Sequence, residues 1–400
     1  MKKIIFILLL STVILTTGFA QRSKEFYMSA AAMLSKGRTD SASLMLDAAI
    51  AREPGNILYY LRKGELEYGR ENISEAIRNF ETANSIKTGY ADLWLAKSYA
   101  STDNDSMAIM HLKSHLKSEY RIPGKKIKTD AAFIRLRLSE EWFSLWQENW
   151  YTEEELLEED VRFMIKDGKY LDAIALIDSK LIGSKNPSPL YRYKAEIASA
   201  LGNFRASAMD WSEYLKLKND IGALKERGIA YLHAGKNKES EADFSRALRL
   251  DPAEFDLYIL RAKALKNMKD YGSAIKDLNL YLNYFPDDLA TVFFCGELQY
   301  ENGNYVEALK SFNKNLRVDN SNPAFFKARG KAYYQTKMYR YAIEDLSMAL
   351  DLKPNDGEVY YFKGMARFNS GDKQGACADW KISARLGEPK AVEQMLNNCQ

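Results

Sequence analysis

Nine small residues and one valine punctuate this chain, at Ala30, Gly64, Ala96, Val161, Ala195, Gly228, Ala262, Gly296, Gly330 and Gly364, and every interval but one is 32 to 34 residues. Twelve positions after each stands a second small residue: Ala42, Ala76, Ala108, Ala173, Ser207, Ser240, Ala274, Ala308, Ala342 and Ala376. Four positions further on, one turn along the same helical face, comes a large apolar residue in every set: Leu46, Phe80, Leu112, Ile177, Trp211, Phe244, Leu278, Phe312, Leu346 and Trp380. A recurrence of this length marks a unit that cannot bury its apolar face alone and must stack on its own copies. Pro54, Pro252, Pro286 and Pro354 follow the second helix of their units, where a missing N–H stops the helix. Glycines such as Gly202 and Gly303 stand between the two helices, where a positive φ is often required. The pattern predicts an all-α fold, an α-solenoid of about ten antiparallel helix pairs.

Two units carry the pattern most fully: Phe326-x-x-Arg329-Gly330-x-x-Tyr333 with Ala342, Leu346 and Pro354, and Leu224-x-x-Arg227-Gly228-x-x-Tyr231 with Ser240, Phe244 and Pro252. This resembles the tetratricopeptide repeat family, whose signature runs W-x-x-L-G-x-x-Y, then A-x-x-x-F, then P. Asp160 and Val161 depart from the Leu-Gly pair in the fourth unit, and Asn320 stands where proline is usual. The resemblance implies a concave surface lined by first helices and a non-enzymatic scaffold that binds a protein or peptide. In the last three units the positions that face the groove in the family hold Phe293, Tyr300, Lys327, Lys331, Tyr334, Tyr361, Met365 and Phe368. Aromatic and basic side chains there would take an extended peptide with acidic groups. A glycan or small-molecule receptor using the same aromatics is the second reading. The family's clamp for chaperone C-terminal carboxylates sets asparagines beside its lysines, and Lys327 and Lys331 have none at the matching place.

The one long interval, 65 residues from Ala96 to Val161, contains a segment over 117–152 that does not repeat. Tyr120 to Lys128 reads as a basic loop around Pro123-Gly124, and two short helices are expected after it, the first capped by Thr129 or Asp130 and the second by Ser139. Trp142, Trp146 and Trp150 follow at intervals of four, half of the chain's 6 tryptophans on one helical stripe. Such a stripe is either a docking surface or, more commonly, a plug for the gap between the third and fourth units. The acidic run from Glu153 to Asp160 reads as the solvated start of a helix with Leu156 and Leu157 facing inward.

The chain opens on Met1-Lys2-Lys3, an apolar run from Ile4 to Thr17, and Gly18-Phe19-Ala20 before Gln21, the pattern of a cleavable export signal. Fourteen apolar residues fall short of the roughly 20 that span a bilayer. The expected mature protein begins at Gln21 and is periplasmic or secreted, without stable membrane insertion. The resulting boundaries are 1–20 for the signal, 21–116 for three units, 117–152 for the insertion, 153–387 for seven units and 388–400 for a capping helix. A net charge of +3, from 57 basic against 54 acidic residues, gives no reason to expect nucleic acid.

No cofactor or metal class is indicated. His111 and His115 stand one turn apart, but no third ligand is identifiable, so a metal-dependent enzyme is the weakest reading. In an oxidising compartment Cys377 and Cys399, ten residues before and twelve residues after the Gly387-Glu388-Pro389 turn, lie at matching heights on antiparallel helices. A disulfide there is expected; two buried thiols are the alternative.

Overall fold

The computed structural model describes residues 21–399, so the expected export signal lies outside the described residues. Among the described residues two compact units are present, residues 21–230 with 249–253 and residues 231–248 with 254–399. Within the described residues every regular element is helical, and no strand occurs. In the first unit a helix over residues 21–35 is followed by Thr39–Arg52, then by the pairs Ile57–Gly69 with Ile73–Ile86 and Asp92–Ser101 with Asp105–Lys117. After the insertion come Glu158–Lys166 with Tyr170–Leu181 and Ser188–Ala200 with Phe204–Leu217. The second unit contains Asp256–Asn267 with Tyr271–Tyr284, Leu289–Glu301 with Tyr305–Val318, Pro323–Gln335 with Tyr339–Leu352, and Gly357–Asn369 with Lys373–Arg385, followed by Pro389–Asn398.

The periodic residues meet one another. A Cβ added to Gly64 would lie 2.4 Å from the Phe80 ring, and one on Gly364 would lie 2.6 Å from Trp380. The missing side chain of the first helix is thus the space that the large residue of the second helix fills. Phe80, Phe312, Leu346 and Trp380 are all buried by this arrangement. Small and large positions are one contact seen from its two sides, which is why they recur together.

A second periodic feature is ionic. The residue just before the small one is often basic, and an acid often stands sixteen positions after that base. Arg261 pairs with Asp277 through two bonds of 2.7 and 2.6 Å, and Arg329 with Asp345 through two of 2.7 Å. Both arginines also reach back to the preceding second helix, Arg261 to Ser245 Oγ at 2.8 Å and Arg329 to Asn313 Oδ1 at 2.7 Å. One guanidinium therefore ties its own pair together and stitches that pair to the one before it.

The insertion departs from expectation. Pro123-Gly124 opens a short helix, Gly124–Thr129, instead of a loop. Asp130 accepts from Ala132 N–H at 3.0 Å to start a 3-10 turn, and Ser139 accepts from Trp142 N–H at 3.1 Å to start Glu140–Leu145. That helix ends at Leu145, so Trp142, Trp146 and Trp150 do not form one helical stripe. The chain turns back instead, and the Trp150 indole N–H donates to the Leu145 carbonyl at 2.6 Å, satisfying a group that the helix end leaves free. The three tryptophans still join one core: Trp142 is buried among Leu112, Ile127, Phe133 and Leu136, with Trp146 and Trp150 packed against it.

Candidate functional site

The eight side chains on the first helices of the last three regular pairs are all half-buried. Phe293 is engaged in packing, 5.6 Å from the Phe312 ring and 4.9 Å from Phe325. Tyr300 stacks edge-on to Tyr305 at 5.4 Å, and its hydroxyl accepts from Gln335 Nε2 at 3.2 Å. Tyr334 lies 5.9 Å from both Tyr339 and Phe362. Tyr361, Met365 and Phe368 pack on the cluster of Ala376, Trp380 and Ala391, against which Met395 of the last helix and Cys399 just after it also lie. Each aromatic thus spends one part of its surface on the protein and keeps another at the surface.

The expected basic character of this face is absent. Lys327 Nζ sits 3.0 Å from Asp356 and 2.7 Å from Glu358, while Lys331 Nζ sits 2.6 Å from Glu358. Burial by itself would push the Glu358 carboxyl up, yet hydrogen bonds from Lys327 and Lys331 hold it below its ordinary value. Lys327 is raised for the complementary reason, its bonds to Glu358 and Asp356 outweighing burial. Two lysines facing two carboxylates leave no net charge to attract an acidic segment, a correction to the expected preference. Lys331 also lies 5.4 Å over the Tyr300 ring and 5.0 Å over Phe362, so it knits the aromatics together. Asp356 and Glu358 begin the following first helix, outside the repeating positions, and for that reason spacing did not point to them.

The two histidines have separate duties. His111 Nδ1 lies 2.8 Å from Asp92, whose carboxylate also accepts from Asn84 at 2.7 Å and from Ser114. His115 is buried, and its Nε2 accepts the Ile122 backbone N–H at 3.2 Å, tying the third pair to the insertion. Burial pushes its pKa down to about 4, so the ring is the neutral acceptor that this bond needs. Among the described residues no three of His, Cys, Asp and Glu converge as a metal site. Cys377 and Cys399 are joined in a disulfide that fastens Pro389–Asn398 to the preceding helix, and Cys295 is a buried free thiol.

Stacked helix pairs presenting half-buried aromatics along their first helices define a helical-repeat scaffold, a class whose working part is its surface. The particular family follows from comparison with known proteins: the family model described as tetratricopeptide repeat matches residues 255–288, one full period. That stretch is thus matched as a tetratricopeptide repeat, and the chain resembles proteins built from such repeats. It is 23% identical over 226 residues to DnaJ homolog subfamily C member 3 of Homo sapiens, a match covering 56% of this chain and 41% of that protein. The chain thus spans less than half the length of the relatives it matches. Similar solved structures include a tetratricopeptide repeat protein from Parabacteroides merdae, at 16% identity and TM-score 0.44 over 61% of this chain and 97% of that one. Another is the C-terminal part of a TPR repeat-containing protein from Cytophaga hutchinsonii, at 19% identity and TM-score 0.49 over 59% and 98%. A scaffold of this kind fits protein–protein interaction. No described helix is long and apolar enough to cross a membrane.

Proposed function

We propose that this chain is a non-enzymatic scaffold or assembly factor, exported by cleavage before Gln21 into the cell envelope of a bacterium, that holds a protein or peptide partner on the first helices of its last regular pairs. The observation that supports this reading is the half-burial of Tyr300, Tyr334 and Phe368, which recur every 34 residues and keep aromatic surface in reach of a partner. Their rings are already held by neighbours, so little side-chain entropy remains to be lost on binding. The partner is recognised here through apolar and aromatic groups, because the lysines between them are neutralised.

In-cell cross-linking followed by capture of the protein tests the reading. Tyr300→Ala, Tyr334→Ala and Phe368→Ala should each weaken capture, by about 2 kcal/mol for a true anchor, when compared at a temperature where each variant remains folded. Undiminished capture in all three would overturn the assignment of the face. An intact-mass measurement that finds residues 1–20 retained would overturn the export claim.

A further inference from the structure

The insertion does more than plug a gap. Together with the helices after it, within the first compact unit, it encloses a cleft of about 890 Å³. That volume lies within the range of roughly 300–1,000 Å³ typical of ligand-binding clefts. One wall is pinned by the insertion's own ion pairs: Arg121 reaches Glu155 at 2.9 Å and Lys125 reaches Glu159 at 3.0 Å. Part of the acidic run is therefore spent internally, its Glu158 buried and paired with Arg162 at 2.8 Å and Arg192 at 3.1 Å. The run does start a helix, capped by Thr152 and with Glu153 exposed, and its Glu155, Glu158 and Glu159 also anchor the insertion and the helices beside it.

Three observations at this cleft have no internal explanation. First, Lys126, Lys166 and Lys218 line it, are exposed, and have no acidic partner among the described residues. Second, Leu156 and Phe163 line it with relative exposures of 64% and 67%, although Leu156 was expected to face inward. Third, Trp146 Nε1, Ser188 Oγ and Tyr193 OH are buried polar atoms with no hydrogen-bond partner in the protein, and all three residues line the cleft. Ser188 is 3% exposed and Tyr193 1%, and an unmet polar group at such depth costs about 1–3 kcal/mol. An indole N–H only donates, so at least one of these atoms requires an acceptor.

We infer that this cleft is a docking site for an acidic, part-apolar peptide segment of a partner protein, with carboxylates on Lys126, Lys166 and Lys218 and apolar side chains on Leu156 and Phe163. An extended peptide supplies a carbonyl acceptor at every residue, which is what the orphaned donors lack. Stacking of a sugar on Trp146 is blocked, because that ring is covered by Lys128 at 4.3 Å, and the three lysines favour a charged ligand over a neutral sugar. The inference is independent of the aromatic face in the second compact unit, and the acid preference absent there is present here.

The test uses the protein from Gln21 onward and fluorescein-labelled hexapeptides alternating Leu with Glu, Gln or Lys, read by anisotropy at low and physiological salt. The Glu peptide should bind about tenfold more tightly than the Gln peptide, and the advantage should shrink with salt. Lys126→Glu, Lys166→Glu and Lys218→Glu combined should abolish that advantage with an unchanged unfolding midpoint, since all three side chains are exposed. Leu156→Ser with Phe163→Ser should weaken both the Glu and Gln peptides. Equal binding of the Glu and Gln peptides, or full binding by the triple variant, would overturn the inference. So would retention of a sulfated oligosaccharide in the absence of peptide binding. Tyr334→Ala should leave hexapeptide binding intact, which separates failure of this site from failure of the aromatic face.

Discussion

The last regular pairs and the 117–152 insertion are built from the same residue types, aromatics, lysines and acids, yet they dispose of charge in opposite ways. Among the pairs, Arg261 and Arg329 each meet an acid sixteen positions further on, while Lys327 and Lys331 are met by Asp356 and Glu358 at the start of the next first helix. Around the insertion, the acids of the 153–160 run are taken by Arg121, Lys125, Arg162 and Arg192, and Lys126, Lys166 and Lys218 are left over. Periodicity explains the difference. A repeated geometry presents each base with the same neighbour in every unit, so one acid in the motif neutralises it. An aperiodic segment has no such template, and side chains without partners accumulate where the repeat is broken.

The comparison breaks first if the periodic contact is not what holds the pairs. Trp380→Ala should cost about 3–5 kcal/mol in denaturant unfolding, because Trp380 fills the space beside Gly364 and nothing else can. A loss below about 1 kcal/mol would mean that the small–large register is decorative.

On the insertion side, acid should matter more. The His115 pKa is pushed from 6.5 down to about 4 by burial, so between those values the unfolded chain binds a proton that the folded one excludes. This stabilisation, about 3 kcal/mol, is fully present above pH 6.5 and lost as pH falls towards 4. His115→Leu should flatten that part of the stability–pH profile relative to the parent protein.

The disulfide sharpens the contrast within the second unit. Its 22-residue separation corresponds to roughly 3 kcal/mol on the chain-entropy model, so Cys377→Ser should loosen Pro389–Asn398, seen as faster amide exchange there. Thiol titration of unfolded, unreduced parent protein should find one reactive group, Cys295, whose native thiol is pushed up to about 11 by burial. The smallest effect is expected from Glu358→Gln, about 1 kcal/mol of stability. That change should free Lys331 and give the aromatic face a measurable preference for the Glu hexapeptide over the Gln hexapeptide.

Small residues twelve positions apart, with a large one four further on, determined the helix-pair architecture and the stacking of pairs, because helical periodicity and steric fit are local and repeat with the chain. Cysteine spacing about a turn likewise placed Cys377 opposite Cys399. The charge state of a surface is not written that way. Lys327 and Lys331 look like an acid-binding pair until Asp356 and Glu358 of the next helix are brought beside them, and Leu156 looks like core until the insertion opens a cleft over it. Trp142, Trp146 and Trp150 have helical spacing, but the chain turned after Leu145 and gathered them through a fold-back that no periodicity encodes. Those outcomes depend on which elements meet across tens of residues, and only the tertiary structure decides that.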